Sequence, residues 1–470
     1  MTAIWRPDLA RFGGPKYLAL SNALRDAIRQ GELTEGAQLP PVRELAWALS
    51  VTPGTVARAY QIATTEGLLE ATVGRGTFVA ARAAHNGVAP PLWVDADGAA
   101  GMERASHLVD LRSPQVPDVG QGAAISAIFT HLAGRLGQDY LEYPSLRRDV
   151  PLRQAMADWL GNRAIGPIGA DDIALTLGGQ NAFVVALQCL LRGDRPHIFA
   201  EELAYPGFRR AARLNRAEVV AIALDDGGMR PDALDTACRR HGGRVVVVTA
   251  EAQNPTTARM SIERRHEIVA VARAHDLQII EDDCYSVADA SGPALRALAP
   301  ERTWHLTSLS KSISAGLRFG AIVCPTGLGE AARLATQHNY FGLPRPVTDI
   351  ALALLRSGEA HRLRDQVQAV FAARLEEMLN ALGRHEVRWQ KGLSFVWLPM
   401  PQGWRASTFA REAEARGVLV RSADEYALTD GRAPNAVRIA IAGGIPEADF
   451  IAAIRRLATL LDSPPGDLPV

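Results

Sequence analysis

Lysine is nearly missing from this 470-residue chain: of its 51 basic residues, all but Lys16, Lys311 and Lys391 are arginine. The 51 acidic residues balance them, so bulk charge argues neither for nor against a nucleic-acid partner. A claim of DNA binding must rest on a local motif. Cysteine is scarce as well. Cys189, Cys238, Cys284 and Cys324 lie far apart with no metal-ligand pairing, which points to reduced, mostly buried thiols of a cytosolic protein and to no metal site. No uninterrupted apolar run reaches bilayer length, and the opening Met-Thr-Ala-Ile-Trp-Arg-Pro-Asp lacks a basic segment followed by an apolar one. These absences predict a soluble, cytoplasmic protein with no membrane partner.

Against an arginine-rich background, one lysine stands out. Lys311 sits in Thr307–Gly320 among small and hydroxyl residues, with Arg318 seven positions on. Arginine stays protonated, whereas a desolvated lysine can become a neutral nucleophile and form a Schiff base. Ser308, Ser310 and Arg318 offer hydroxyls and a planar guanidinium suited to a phosphate monoester. A nucleophilic amine beside a phosphate clamp suggests pyridoxal 5'-phosphate.

At the other end, residues 16–30 repeat apolar positions at helical spacing (Leu18, Leu20, Leu24, Ala27, Ile28) and stop at Gly31. A second short helix follows Pro40 and Pro41, and a third opens with Thr52 as N-cap and Pro53 at its first position. Two short helices around a tight turn form a helix-turn-helix pattern. Residues 71–79 then read as a hairpin with Arg75 at its tip, a wing. Leu39–Ala46, Val56–Tyr60 and Gly74–Val79 together resemble the GntR family of winged-helix regulators. That resemblance implies that Arg43 contacts phosphate and that Thr52, Thr55 and Arg58 face the operator. Arg75 and Gly76 then lie against the DNA backbone or in its minor groove. Pro53 and Gly54 stand where many relatives carry a polar or basic side chain, which leaves the base-reading pattern open. Residues 1–80 carry eight Lys/Arg against seven Asp/Glu, so affinity must come from a one-faced arrangement and two half-sites. Residues 81–107, rich in alanine, glycine and proline, read as a linker with one short helix near 102–108.

From residue 108 to about 465 the pattern becomes α/β, with short apolar strands alternating with helices. Strands are expected at 173–177, 197–200, 219–223, 245–249, 277–280, 303–308 and 321–324, giving a mostly parallel sheet covered on both faces. A smaller α+β region is expected beyond Phe371, with strands at 394–398, 418–420 and 437–441. In such sheets ligands lie at the carboxyl ends of strands. Four stretches fall there. A diglycine opens a helix at Gly178-Gly179-Gln180, whose amides suit an anion. Tyr205 could stack on a ring. Asn254 in Asn-Pro-Thr-Thr257 could donate to a phenolic oxygen, and three carboxylates in a row, Glu281–Asp283, imply a buried charge partner.

The order and spacing of Asn254, Asp282, Lys311 and Arg318 resemble the fold-type I aminotransferases. By that resemblance Lys311 forms the internal aldimine with pyridoxal phosphate and Asp282 pairs with its pyridine nitrogen. Asn254 and Tyr285 hydrogen-bond the ring oxygen, and Tyr205 covers the ring. Gly178, Gly179, Gln180, Ser308, Ser310 and Arg318 hold the phosphate, while Arg438 grips an effector carboxylate. The family's Asn-Pro-Thr-Gly turn ends in Thr257 here. The segment from which a tyrosine reaches the partner subunit's phosphate offers both Tyr140 and Tyr143, with Tyr143 preferred. A GntR-type winged helix followed by such a domain is similar to the MocR/GabR-like regulators. The resemblance implies a homodimeric, domain-swapped regulator that binds an operator in double-stranded DNA and senses an amino compound or pyridoxal phosphate at Lys311. A working aminotransferase with an accessory DNA-binding domain and a cofactor-free binding module are the alternatives.

Overall fold

The computed structural model describes residues 5–12, 15–34, 36–65, 68–72, 76–80, 108–134, 137, 140–161, 163–193, 196–285, 290–428 and 431–463. The chain divides into two compact units, residues 1–96 and 97–470.

The first unit has helices Lys16–Arg29, Val42–Ala48 and Pro53–Thr65, followed by antiparallel strands Leu69–Thr72 and Gly76–Val79. Most of the helical repeat seen in the sequence is the buried stripe, with Leu18 exposed instead: Leu20, Leu24, Leu45, Val56, Ala59 and Leu69 close one small core. The Tyr60 hydroxyl donates to Pro40 O at 2.8 Å and ties the third helix to the Pro-Pro turn. Gly76 has φ +118°, and a Cβ there would stand 2.8 Å from the Gln38 amide, so only glycine fits. Arg75 at the expected wing tip, and the 81–107 linker, lie outside the described residues.

The second unit is built on a seven-stranded sheet in the order Ile173–Thr176, Gly320–Val323, Thr303–Ser308, Gln278–Asp282, Val245–Val248, His197–Glu201, Glu218–Ile222. Every pairing is parallel except those of Gly320–Val323, which runs against both neighbours. Side chains alternate between faces, and both faces are covered. Val245 and Val247 pack with helices Gly179–Leu190 and Pro206–Leu214, while Val246 and Val248 pack with Pro231–His241 and Ile262–Ala274. Burial on both sides explains why these strands read as continuous apolar runs.

Beyond the 24-residue helix Glu359–Leu382, a three-stranded antiparallel sheet forms in the order Phe395–Pro399, Ala436–Ala440, Arg421–Ser422. Its register sets Trp397 and Arg421 on either side of Arg438. One element had no signal in the sequence. Val109–Asp110 pairs in parallel with Val418–Leu419, so the stretch leading out of the linker is part of this last layer. Among the described residues no helix is long and apolar enough to cross a membrane.

Candidate functional site

Lys311 lies in the loop between strands Thr303–Ser308 and Gly320–Val323. Burial, and then the Arg438 guanidinium, lower its pKa to about 8. Its Nζ donates to Pro114 O at 3.4 Å. The amine is therefore within reach of its neutral, nucleophilic form near neutral pH.

The three carboxylates at the end of Gln278–Asp282 separate by strand alternation. Glu281 accepts Leu295 N at 2.8 Å and Arg296 N at 3.1 Å and meets His305 Nδ1 at 3.0 Å. Asp283 takes Arg163 Nη2 at 2.9 Å. These two have the charge partners expected for buried acids, supplied by His305 and Arg163, which the sequence did not mark. Asp282 faces the other way. Its carboxyl accepts Cys284 N at 3.1 Å, and burial raises its pKa. An acid desolvated in this way is disposed to share a proton with a basic ring nitrogen.

The expected phosphate-binding residues come together. Gly178 (φ +82°) and Gly179 open the helix Gly179–Leu190. A Cβ on Gly178 would lie 2.9 Å from Arg318 Nη2, and one on Gly179 only 2.4 Å from Cys284 Sγ, so this cradle needs both glycines. Arg318 donates to Leu177 O at 3.1 Å. Ser308 Oγ donates to Ser310 Oγ at 2.9 Å and accepts Ser310 N at 3.1 Å, which fixes the hydroxyls beside the helix end. Gln180 Nε2 donates to Gly207 O at 3.1 Å and joins this helix to the one starting after Tyr205. Tyr205 is partly exposed, with its ring edge-on to Phe208.

Arg438 is 3 % exposed. Nη1 donates to Asn254 Oδ1 and Nη2 to Arg112 O, both at 2.6 Å. Phe395 and Tyr426 flank the guanidinium, with ring centroids 4.9 and 5.0 Å away. Nε is buried and has no partner among the described residues. With its oxygen spent on Arg438, Asn254 keeps its amide hydrogens to donate elsewhere. Tyr285, its pKa pushed up by burial, packs edge-on against Phe395.

Gln253 fixes the turn that carries Asn254. Its Oε1 accepts Thr256 N at 2.8 Å and Thr256 Oγ1 at 2.7 Å, while Nε2 donates to Leu203 O at 2.6 Å and Glu201 Oε2 at 3.2 Å. Thr257, where the family's turn carries glycine, adopts φ +63°, an unfavourable conformation for a β-branched residue. Phe395, Tyr426, Gln253 and Glu201 were not picked out in the sequence. Each acts by contact or desolvation rather than by motif.

The tyrosines separate clearly. Tyr140 Oη donates to Asp349 Oδ2 at 2.9 Å, whereas Tyr143 is 77 % exposed and stacks on Phe341 at 5.1 Å. No hydrogen bond among the described residues joins either to the group around Lys311. In the first unit, Arg43 and Thr52 are exposed, and Thr52 Oγ1 caps Thr55 N at 3.3 Å. Arg58 lies over the Tyr17 ring at 4.2 Å.

These features suit pyridoxal phosphate: a glycine cradle beside a guanidinium and two hydroxyls, a desolvated lysine, a buried acid, and an arginine with a donor unspent. Comparison with known proteins agrees. Residues 107–457 match the model for aminotransferase class I and II, and residues 16–79 that for bacterial regulatory proteins of the gntR family. The uncharacterized HTH-type transcriptional regulator YdeF of Bacillus subtilis is 28 % identical over 448 residues, covering 93 % of this chain and 92 % of that one. The HTH-type transcriptional regulator TauR of Rhodobacter capsulatus is 29 % identical over 431 residues, covering 85 % and 87 %. Among solved structures, a Pyrococcus horikoshii kynurenine aminotransferase in complex with PMP superposes with a TM-score of 0.67 at 23 % identity, covering 78 % of this chain and 93 % of that one.

Proposed function

Because the chain belongs to the aminotransferase class I and II family and carries a GntR-family unit ahead of that domain, we propose that its cofactor site is a sensor for an amino compound that also bears an acid. The chain is a pyridoxal-phosphate-dependent, DNA-binding transcriptional regulator of the MocR-like type. The observation that carries the sensor reading is the pairing of a depressed lysine, Lys311, with a buried guanidinium, Arg438, whose bonded partners are neutral oxygens.

Pyridoxal phosphate, when bound, supplies an aldehyde that amines can exchange on and a ring that withdraws electrons. The chain's own residues do the rest. Gly178, Gly179, Ser308, Ser310 and Arg318 anchor the phosphate. Asp282 holds a proton at the ring nitrogen, and Asn254 donates from Nδ2 to the ring oxygen with help from Tyr285. Lys311 offers Nζ as the resident amine, and Arg438 orients the acid of an incoming ligand. Tyr205 closes the open face of the ring. In the first unit, Arg43, Thr52, Thr55, Arg58, Arg75 and Gly76 are assigned to the operator.

A second copy of the chain completes this picture. Tyr143, Leu141 and Phe341 are exposed on the surface, and we assign them to a homodimer in which Tyr143 reaches the other subunit's phosphate. A DNA-binding regulator acts where the chromosome is, and we assign the protein to the cytoplasm on that ground.

Purified protein loaded with pyridoxal phosphate should bind its operator with an affinity that changes when amino acids are added. The same panel with 2-oxo acids separates the second reading, a working aminotransferase, which the proximity of Lys311 to neutrality favours. Many rounds of pyridoxamine phosphate formation at enzymic rates would support turnover, and a single slow conversion would support the sensor.

A further inference from the structure

The backbone from Val109 to Gln115 passes the site and is held by two of its basic side chains, Arg438 and Lys311. Arg438 Nη2 donates to Arg112 O at 2.6 Å, and Lys311 Nζ donates to Pro114 O at 3.4 Å. The rest of this stretch is laced to the C-terminal layer. Val109 N reaches Gly417 O at 2.8 Å, Leu111 N reaches Leu419 O at 2.9 Å, and Gln115 N reaches Ile441 O at 3.2 Å. Arg112 folds back on Asp110 through N, Nε and Nη2, each at 3.0 Å. Leu111 is fully buried and anchors the stretch in the C-terminal core.

A carbonyl is a weak counter-group for a buried guanidinium. Among the described residues no carboxylate lies within 4.0 Å of Arg438, its other partners are the neutral Asn254 oxygen and the Tyr285 hydroxyl, and Nε is unspent. Charge-assisted bonds are roughly twice as strong as neutral ones, and carboxylates favour the two-donor edge of a guanidinium. The edge with a donor to spare is Nε–Nη2, and Arg112 O occupies half of it. Arg112 O sits on one of the two nitrogens of that edge, so a ligand carboxylate arriving there competes with it.

We infer that Arg112–Pro114 is an internal competitor for the sensor site, a strap that a ligand carboxylate at Arg438 releases. The inference rests on the assignment of Arg438 to a ligand's acid and deepens it into a mode of regulation. In sequence the strap lies a few residues after the 81–107 stretch that follows the DNA-binding unit. An amine without an acid offers nothing to Arg438 and leaves Arg112 O in place on it. The ligand class that signals is therefore an amine carrying a carboxylate or similar oxyanion.

Hydrogen–deuterium exchange on the full-length, pyridoxal-phosphate-loaded protein tests this, with propionate and propylamine as probes of the acid and the amine alone. Saturating propionate should speed exchange of the Leu111 and Gln115 amides about tenfold or more, and propylamine should not. Leu111→Ala, which loosens the strap without touching Arg438, should lower the propionate Kd several-fold. A merely structural Leu111 would leave that Kd unchanged or raise it. Unaltered exchange with propionate bound, a Kd that does not fall in Leu111→Ala, or no propionate binding to either chain overturns the inference. Failure of the cofactor assignment is a separate result: the chain would stay colourless with pyridoxal phosphate, whereas the propionate arm runs equally on the cofactor-free protein.

Discussion

Arg438 and Asn254 are joined by a 2.6 Å bond from Nη1 to Oδ1, so the residue assigned to a ligand's acid and the one assigned to the cofactor ring share one fixed geometry. The bond runs between the C-terminal sheet and the turn after strand Val245–Val248, and it determines which end of the Asn254 amide is free to donate. Ligand recognition and cofactor tuning are therefore coupled through a single contact.

Arg438→Lys tests that coupling. A lysine has no planar fork, so it cannot keep both the Asn254 and Arg112 oxygens while offering a two-donor edge to an acid. One buried acceptor left unpaired costs about 1–3 kcal/mol, and the affinity for an amino acid should fall at least ~10-fold. Urea denaturation should show the first loss, and calorimetry with the loaded protein the second.

The amine at 311 makes capture of the cofactor depend on pH. Burial and Arg438 bring its pKa to about 8, which leaves roughly a tenth of it neutral at pH 7, against fewer than one in a thousand for an ordinary lysine. The initial rate of colour development with pyridoxal phosphate should rise nearly tenfold between pH 7 and 9, with a midpoint near 8. A rate that keeps rising steeply through pH 10 would mean that Lys311 is not desolvated.

Glu201 predicts an opposite trend in stability. Burial pushes its carboxyl up to about 8, with bonds from Gln253 and Thr249 opposing the shift, and Oε1 has no partner. The folded state therefore binds the proton more tightly than the unfolded chain. That contribution is fully present below the ordinary glutamate range and is lost as pH rises through about 8. Unfolding midpoints in urea should fall between pH 5 and 8, and Glu201→Gln should flatten this dependence. Gln253→Leu should cost about 3 kcal/mol, because it strands Leu203 O and Thr256 N and frees the turn that holds Asn254.

Features set by local chemistry or by periodicity were legible in the sequence, and features set by distant contacts were not. The sheet was readable because strands such as Val245–Val248 are buried on both faces and lose their polar alternation. Lys311 was readable because lysine is so rare in this chain. Asp282 could be found, but the roles of its neighbours could not, since alternation assigns a face and not its occupant. The partners of Glu281 and Asp283 lie 24 and 120 residues away. Arg112 and Pro114 contribute backbone oxygens, which every residue has, so no choice of side chain marks them. Phe395 and Tyr426 look like ordinary core aromatics until Arg438 is seen between them.

The first unit gives a prediction in which two arginines behave differently. Arg43 is exposed, while Arg58 rests over the Tyr17 ring and must leave it to touch a base. Binding to any duplex is dominated by phosphate neutralisation, whose salt dependence scales with the number of contacts. Arg43→Ala should weaken binding equally on operator and unrelated duplexes and reduce the slope of log K against log salt by about 1. Arg58→Ala should weaken operator binding more than binding to unrelated DNA, because the contact assigned to it is with base edges. Tyr17→Leu, which removes the ring but keeps the apolar contact, frees Arg58 and should tighten both complexes modestly. Fluorescence anisotropy over a salt series measures all three, and an Arg43→Ala slope equal to that of the unaltered chain would remove Arg43 from the phosphate contacts.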